Sequence, residues 1–348
     1  GSHYRPDFLD HVFYGSSVIF IPRLLPLLPS YLTCTAGLTF SVVSGSWLRM
    51  IMKSENIRRS IKVVSLGLLL GFLASCAIFP QERTTPLSGV VSGETRWQGT
   101  VFIDGDLVLE KEARLVIAPG TEVVFLPPAE GKDLFTERPN FPGNELIIRG
   151  TLLAEGTAEK PITFRFVDST APPDSWGGIN LYEGSIASFS YVYISQANSA
   201  IHSHSAEATM EDSRIENNLF GLRFNTTDFL IKNNLLRRNG TAIRFHFGAP
   251  VIRNNVITDN EKGVFITSYP EDYIIEGNNI FGNHRYAVVL GEEVPDDVIM
   301  VGNYWGADNP EAIRSSFFAG RKDEYLGNVL FEPFANTSFS SAGTPTVP

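Results

Sequence analysis

Cysteine is almost missing from this chain: its 348 residues include two, Cys34 and Cys76. None follows Cys76, so the larger part of the protein has neither a disulfide framework nor a cysteine-based zinc site. Methionine is scarce too. Only Met210 and Met300 lie beyond residue 76, which leaves no cluster of soft ligands for copper. No GxSxG, HExxH, phosphate-cradling glycine loop or CxxC occurs. Cations are outnumbered, 28 Lys+Arg against 38 Asp+Glu for a net charge of −10. Residues 1–75 hold seven basic and three acidic side chains, so the remainder is more acidic than the average suggests. That excludes a basic footprint for nucleic acid, although a local patch can still take an anion. The long body lacks apolar runs of helical period, and β-branched and aromatic residues dominate it, with 25 Phe. Stability has to come from a long apolar core.

What is present begins with MKSENIRRSIKVVSLGLLLGFLASC, residues 52–76. Lys53, Arg58, Arg59 and Lys62 form a positive region, and 63–73 an apolar stretch shorter than the about 20 residues of a free-standing membrane helix. Leu73-Ala74-Ser75-Cys76 follows. This order resembles the bacterial lipoprotein signal, in which the cysteine is diacylated on sulfur, becomes the first residue and is acylated on its amine. The resemblance implies a signal peptide over 52–75, a lipid on Cys76 and several acyl chains, enough for stable anchoring. Ala77 is not the aspartate associated with inner-membrane retention, so the implied place is the cell envelope, at the outer membrane where the cell has one. An ordinary secretory signal with an incidental cysteine is the alternative. Residues 1–51 read as an extended start or non-native leader, with a real upstream transmembrane element as the rival account. Residues 76–96 read as a lipidated tether.

A repeat emerges further on. The segments ATMEDSRIENNLFGLRFNT, FLIKNNLLRRNGTAIRFHF, PVIRNNVITDNEKGVFITS and YIIEGNNIFGNHRYAVVLG align from residues 208, 229, 250 and 273. Ile201, Leu222, Ile243 and Val264 recur every 21 residues, with Val288 a further 24 on. Ile194, Ile215, Leu236 and Ile257 form a second register, continued by Phe281. Asn218, Asn239 and Asn260 form a third, and Asn234, Asn255, Asn279 and Asn303 a fourth. Each unit holds three short strands. Alone it cannot bury its apolar face, but stacking closes a core and satisfies the backbone of successive strands. The expected fold is an all-β right-handed parallel β-helix over 97–334. Asparagines tolerate turn conformations and are expected to hydrogen-bond from rung to rung in a buried polar ladder. Residues 127–144 interrupt the pattern as an outward loop, and 335–348 read as a disordered tail.

Residues 95–127, 145–164, the WGGI at 176–179 and the closing GNYWGADNPEAI at 302–313 resemble bacterial secreted and lipoprotein β-helix repeat proteins. More remotely they resemble pectate lyases and periplasmic copper-delivery accessory proteins. These are likenesses of fold and imply no single activity. Trp305 replaces the smaller aliphatic residues of its register and is expected to plug the last rung.

Strand parity sends Ile201, Leu222, Ile243 and Val264 inward and His202, Arg223, Arg244, Phe265 and Val289 outward. Two residues on, His204, Asn225, His246 and Thr267 form a second outward column. Arg223 and Arg244 fall on adjacent rungs and repel unless an anion or an acid sits between them. With His204, Asn225 and His246 they form the candidate ligand face, suited to an extended carbohydrate. The bland reading is a solvated sheet with the arginines paired to Asp212 or Glu216. His204 and His246 are expected about 10 Å apart, too far to share one zinc, and His202 and His204 share a face about 7 Å apart with no third ligand evident. Asp104, Asp106, Asp212, Asp228, Asp259, Asp272 and Asp308 read as turn or closing residues, so no carboxylate pair for glycoside hydrolysis is visible. No catalytic residue, cofactor or metal site is assigned. A binding or scaffold role toward polysaccharide or an envelope protein is expected, with a polysaccharide lyase or hydrolase as the alternative and a metal-handling accessory protein behind it. The anchor has a direct check: in bacteria expressing the chain, a palmitate analogue should label the wild type and not Cys76→Ala.

Overall fold

In the computed structural model the described residues are 85–132, 141–320 and 325–343, together with one antiparallel strand pair, Tyr31–Thr33 with Thr39–Ser41. The chain divides into units 1–80 and 81–348. The leader apart from that strand pair, the signal segment, Cys76 and the tether up to residue 84 lie outside the described residues.

The second unit is a right-handed parallel β-helix with three faces, A, B and C. One rung runs through Ile186–Ser190 on face A, Val192–Ser195 on face B and Ala197–His204 on face C. The next rung repeats it with Glu207–Glu211, Arg214–Glu216 and Phe220–Asn225. Face A is an eight-stranded sheet, and faces B and C join into one of 17 strands. All pairings between rungs are parallel, with Ile194 beside Ile215 and Ile201 beside Leu222.

Alternation builds the core. Ile186–Ser190, Glu207–Glu211 and Asp228–Lys232 bury every second residue, so Phe189, Met210 and Ile231 stack inside face A. Phe224 and Phe245 stack with centroids 5.2 Å apart on successive rungs of face C. The WGGI motif also follows from close packing. Trp176 is buried, stacks on Phe125 at 3.8 Å and donates its indole N–H to the Ser195 carbonyl at 2.8 Å. Gly178 has φ +142, and a Cβ there would lie 1.9 Å from the Ser199 carbonyl oxygen.

The asparagine ladders exist, and division of labour at the corners explains them. The residue before each ladder asparagine takes the left-handed conformation, as do Asn217, Asn233 and Asn254. The following asparagine points inward, fully buried at Asn218, Asn234 and Asn255. Asn218 Nδ2 donates to Asn239 Oδ1 at 3.0 Å, Asn239 to Asn260 at 3.0 Å and Asn260 to Asn283 at 2.9 Å. The second ladder runs from Asn234 to Asn255 at 3.0 Å, then to Asn278 at 2.9 Å and Asn303 at 3.0 Å. Each Oδ1 also accepts a main-chain N–H of the preceding rung, and Nδ2 returns to a carbonyl there, as Asn239 does to Ile215 at 3.0 Å.

Two register assignments shift by one residue. Ile280, not Phe281, stands beside Ile257, and Asn278, not Asn279, continues the ladder. The step has already lengthened from 21 to 23 residues where Ile252 meets Ile275, so the longer connection between Ser268 and Ile274 makes the change, and the Gly277 corner keeps the length of the Asn254 corner. Asn279 instead holds the carboxy-terminal segment through both of its bonds to the Phe339 main chain, each 2.9 Å.

The ends also differ from expectation. Leu87–Val91 and Glu94–Trp97 already pair with the following rungs, so the solenoid starts before Trp97. Asp104 and Asp106 belong to the strand Thr100–Leu109, which bends across faces B and C, rather than to a turn. At the other end Trp305 is buried edge-on against Phe317, centroids 4.9 Å apart, and helix α1 (Pro310–Ser315) adds Ile313 to the cap. Residues 335–343 run along the body rather than free of it, with Gly343 N–H on the Asn254 carbonyl at 2.8 Å. Residues 344–348 lie outside the described residues.

Removing a ladder amide strands several buried groups at once, each costing about 1–3 kcal/mol. Asn239→Ala should therefore lower the urea midpoint strongly, whereas Thr209→Ala, partly exposed on face A, should leave it nearly unchanged.

Candidate functional site

Face C carries the longest strands, and its outward columns follow the predicted parity. Asn180, His202, Arg223, Arg244 and Phe265 pair in sequence across five rungs. His204, Asn225 and His246 form the neighbouring column. Thr267 does not extend it, because a bulge places Ser268 beside His246. All five predicted face residues, His204, Arg223, Asn225, Arg244 and His246, line one cleft of about 230 Å³, joined by His202, Phe224, Phe245 and Thr267.

The guanidiniums are not paired as expected. Glu216 is taken by Arg214 at 3.1 Å, Arg237 at 2.5 Å and the Tyr193 hydroxyl at 2.9 Å, all on face B. Among the described residues, Arg223 and Arg244 have no ion pair. They stack instead on aromatic rings. Phe220 lies beneath both, 5.4 Å from Arg223 and 5.8 Å from Arg244. Phe141 also lies 5.8 Å from Arg223, and Phe265 5.1 Å from Arg244. Lys262 continues the stripe over Phe265 at 5.2 Å. Such contacts hold a cation in place without neutralising it. Burial first, then Arg244, pulls the Arg223 guanidinium below its usual range, and burial does the same to Arg244. Two half-buried cations therefore stand one rung apart, about 4.8 Å.

The histidines differ most from the sequence expectation. Parity sends His202 outward, yet it is 4 % exposed, with the Phe141 ring edge-on at 5.1 Å. His202 Nε2 and His204 Nε2 are 3.1 Å apart rather than about 7 Å. The side chains lean together although their Cα atoms do not. Behind them Asn180 Nδ2 donates to Glu145 Oε1 at 2.5 Å. That fixes the amide and leaves Asn180 Oδ1 to accept from His202 Nδ1 at 3.2 Å. With Nδ1 protonated and the ring neutral, His202 Nε2 is an acceptor, so His204 Nε2 donates to it. His204 Nδ1 is then the basic atom left to the cleft. Burial, then His204 and Arg223, pushes His202 down to about 3. Burial, Arg223 and His246 lower His204 as well. His246 bonds Thr267 Oγ1 at 3.2 Å and Ser268 Oγ at 2.8 Å, and Ser268 in turn meets Glu293.

Sequence reasoning missed Asn180, Glu145 and Phe220. Asn180 and Glu145 belong to rungs with irregular spacing, and Phe220 precedes the strand position that parity describes. No group of three or more His, Cys, Asp or Glu side chains that could hold a metal occurs among the described residues. Asp212, Asp259 and Asp272 occupy left-handed positions, and none of these lines the cleft. Nor does any helix among the described residues cross a membrane by length and apolarity.

With this geometry established, the comparisons add a fold-level likeness. Residues 163–304 match the family model described as a right-handed beta helix region. That span contains the 21-residue rungs and every residue that lines the cleft. No curated protein and no solved structure matches the chain.

Burial of neutral His202 has a consequence for stability. Its folded value, about 3, lies below the ordinary 6.5, so the unfolded chain binds the extra proton between them. The contribution is present in full above 6.5 and is lost as pH falls toward 3. Urea stability should decline over that interval, and His202→Gln should flatten the decline by up to one proton.

Proposed function

We propose that the protein is a lipid-anchored envelope component whose face C binds an extended, acidic carbohydrate, with a binding or scaffold role rather than catalysis. The observation that carries this reading is the pair Arg223 and Arg244, half-buried and braced by Phe220 without an ion pair among the described residues. Holding such cations unpaired is unfavourable unless a ligand uses them. The surrounding surface suits a sugar polymer. Phe247 is 46 % exposed beside His246, centroids 4.3 Å apart, and holds a left-handed φ of 56. The same corner is left-handed at Ser205 and Thr226, so the backbone there belongs to the fold, while the exposed ring offers a surface for stacking. The cation stripe crosses several rungs, so it offers repeated contacts to a chain laid along the solenoid axis. The acidic remainder of the protein repels polyanions and confines them to this stripe. A lipid on Cys76 would hold the platform at the membrane, in the outer membrane where one exists, as the signal-like segment supports.

The positioned neutral His204 beside two arginines favours one second reading, a polysaccharide lyase or hydrolase, because a base next to a carboxylate clamp suits proton abstraction. Both are separated in one assay. Binding of polygalacturonate and of neutral glucan to residues 77–348 should differ, with the acidic polymer preferred and weakened by salt. Arg223→Ala and Arg244→Ala should each reduce binding about tenfold or more, in line with 1.5–3 kcal/mol for a charge-assisted bond. Depolymerisation that disappears in His204→Gln would replace the binding role by the enzyme; equal binding by both arginine variants would remove the cleft from the reading.

A further inference from the structure

His204 stands where ligand charge and proton charge meet. Its Nε2 is committed to His202 at 3.1 Å, and His202 is committed through Asn180 to the buried Glu145. Only Nδ1 of His204 can take a proton without breaking that chain. Without an acidic ligand a charge there would be opposed from several sides. His202 shares its strand, Arg223 and Asn225 come from the next rung, and Arg244 and His246 from the one after. The nearby acids stand behind other groups: Glu145 behind Asn180, and Glu293 behind His246 at 3.9 Å. Phe141 covers His202 and keeps water from it.

Resting on the anion-binding reading above, we propose that an acidic group entering between Arg223 and Arg244 draws one proton from solvent onto His204 Nδ1, making the cleft bind acidic ligands more tightly as pH falls. The ligand replaces repulsion from Arg223 by attraction to its own negative charge, so the imidazolium becomes favourable only when the clamp is filled. The charged ring keeps Nε2–H on the neutral His202 lone pair and offers a new Nδ1–H donor toward the cleft. His202 remains neutral, because its Nδ1–H is already held by Asn180 and its burial is deeper. No bond other than N–H forms, and the buffer supplies the proton. By reciprocity, the gain in ligand affinity equals the gain in proton affinity. The sign is definite. Affinity rises as pH falls through the liganded His204 value, levels off below the free value, and is flat well above both.

Titration calorimetry of the full chain tests this, with sodium sulfate and a galacturonate oligosaccharide as probes, since neither changes charge above about pH 5. Measured at about pH 6, the binding heat should vary with the buffer's ionisation heat, with a slope approaching one proton per site. Affinity should rise roughly tenfold for each unit by which the His204 value increases. His204→Gln should lose both effects and bind more weakly than the wild type below about pH 6, and the histidine NMR titration of the wild type should show one ring moving upward on ligand addition, which needs no variant. Binding with identical heats in every buffer would overturn the coupling while leaving the binding reading in place. Uptake retained in His204→Gln would overturn the assignment to His204. Absence of binding by both probes across the pH range would overturn both.

Discussion

A rung of this solenoid cannot satisfy its own backbone. Each strand bonds to the strands above and below, and at each corner the chain must turn while main-chain groups face the interior. Two adjacent residues resolve this. At two of the three corners of the regular rungs, one takes the left-handed conformation and turns the chain; the next buries an amide that bonds rung to rung, as in Asn217 with Asn218 and Asn233 with Asn234. The asparagine side chain carries a donor and an acceptor on one planar group, so a single residue serves both neighbours. Every other feature of the protein depends on that corner repeating, because it fixes where each following strand begins.

Fixed strand starts turn face C into a comb with teeth about 4.8 Å apart. Residues separated by a whole turn in sequence become nearest neighbours. Arg223 and Arg244 meet over Phe220 for this reason, in a chain whose average charge is strongly negative. The rigidity matters for recognition. A cleft whose walls are hydrogen-bonded sheet loses little freedom when a ligand enters, so weak polar contacts are not consumed in ordering the protein. The match of residues 163–304 to the right-handed beta helix family model agrees with this architecture and leaves chemistry to the side chains that the comb displays.

The ends of the solenoid obey the same constraint in another form. A bare terminal rung would expose a row of unpaired donors and acceptors. Trp305, Phe317, Phe331 and the helix α1 cover the last core layers, and the segment 335–343 folds back onto Asn279 and Asn254. Asn279, at the strand position that Val256 holds one rung earlier, ties down the tail.

The repeat, the parallel stacking, the asparagine ladders and the five cleft residues were legible in the sequence, because a spacing of 21 residues with period-two alternation dictates both register and facing. Where spacing changed, legibility ended: Ile280 and Asn278 were missed because a longer corner absorbs extra residues without announcing which one turns. Asp106, Glu145 and Asn180 were hidden for the same reason in the irregular early rungs. Side-chain lean was invisible altogether. Backbone period places His202 and His204 two residues apart on one face, but only the packing of Phe141 and the pull of Asn180 bring their ring nitrogens to 3.1 Å and bury one of them. The sequence determined which residues share a surface, since that follows from periodicity. The tertiary structure decided which are charged, neutral or unpaired there, since that depends on which neighbours from distant rungs reach them.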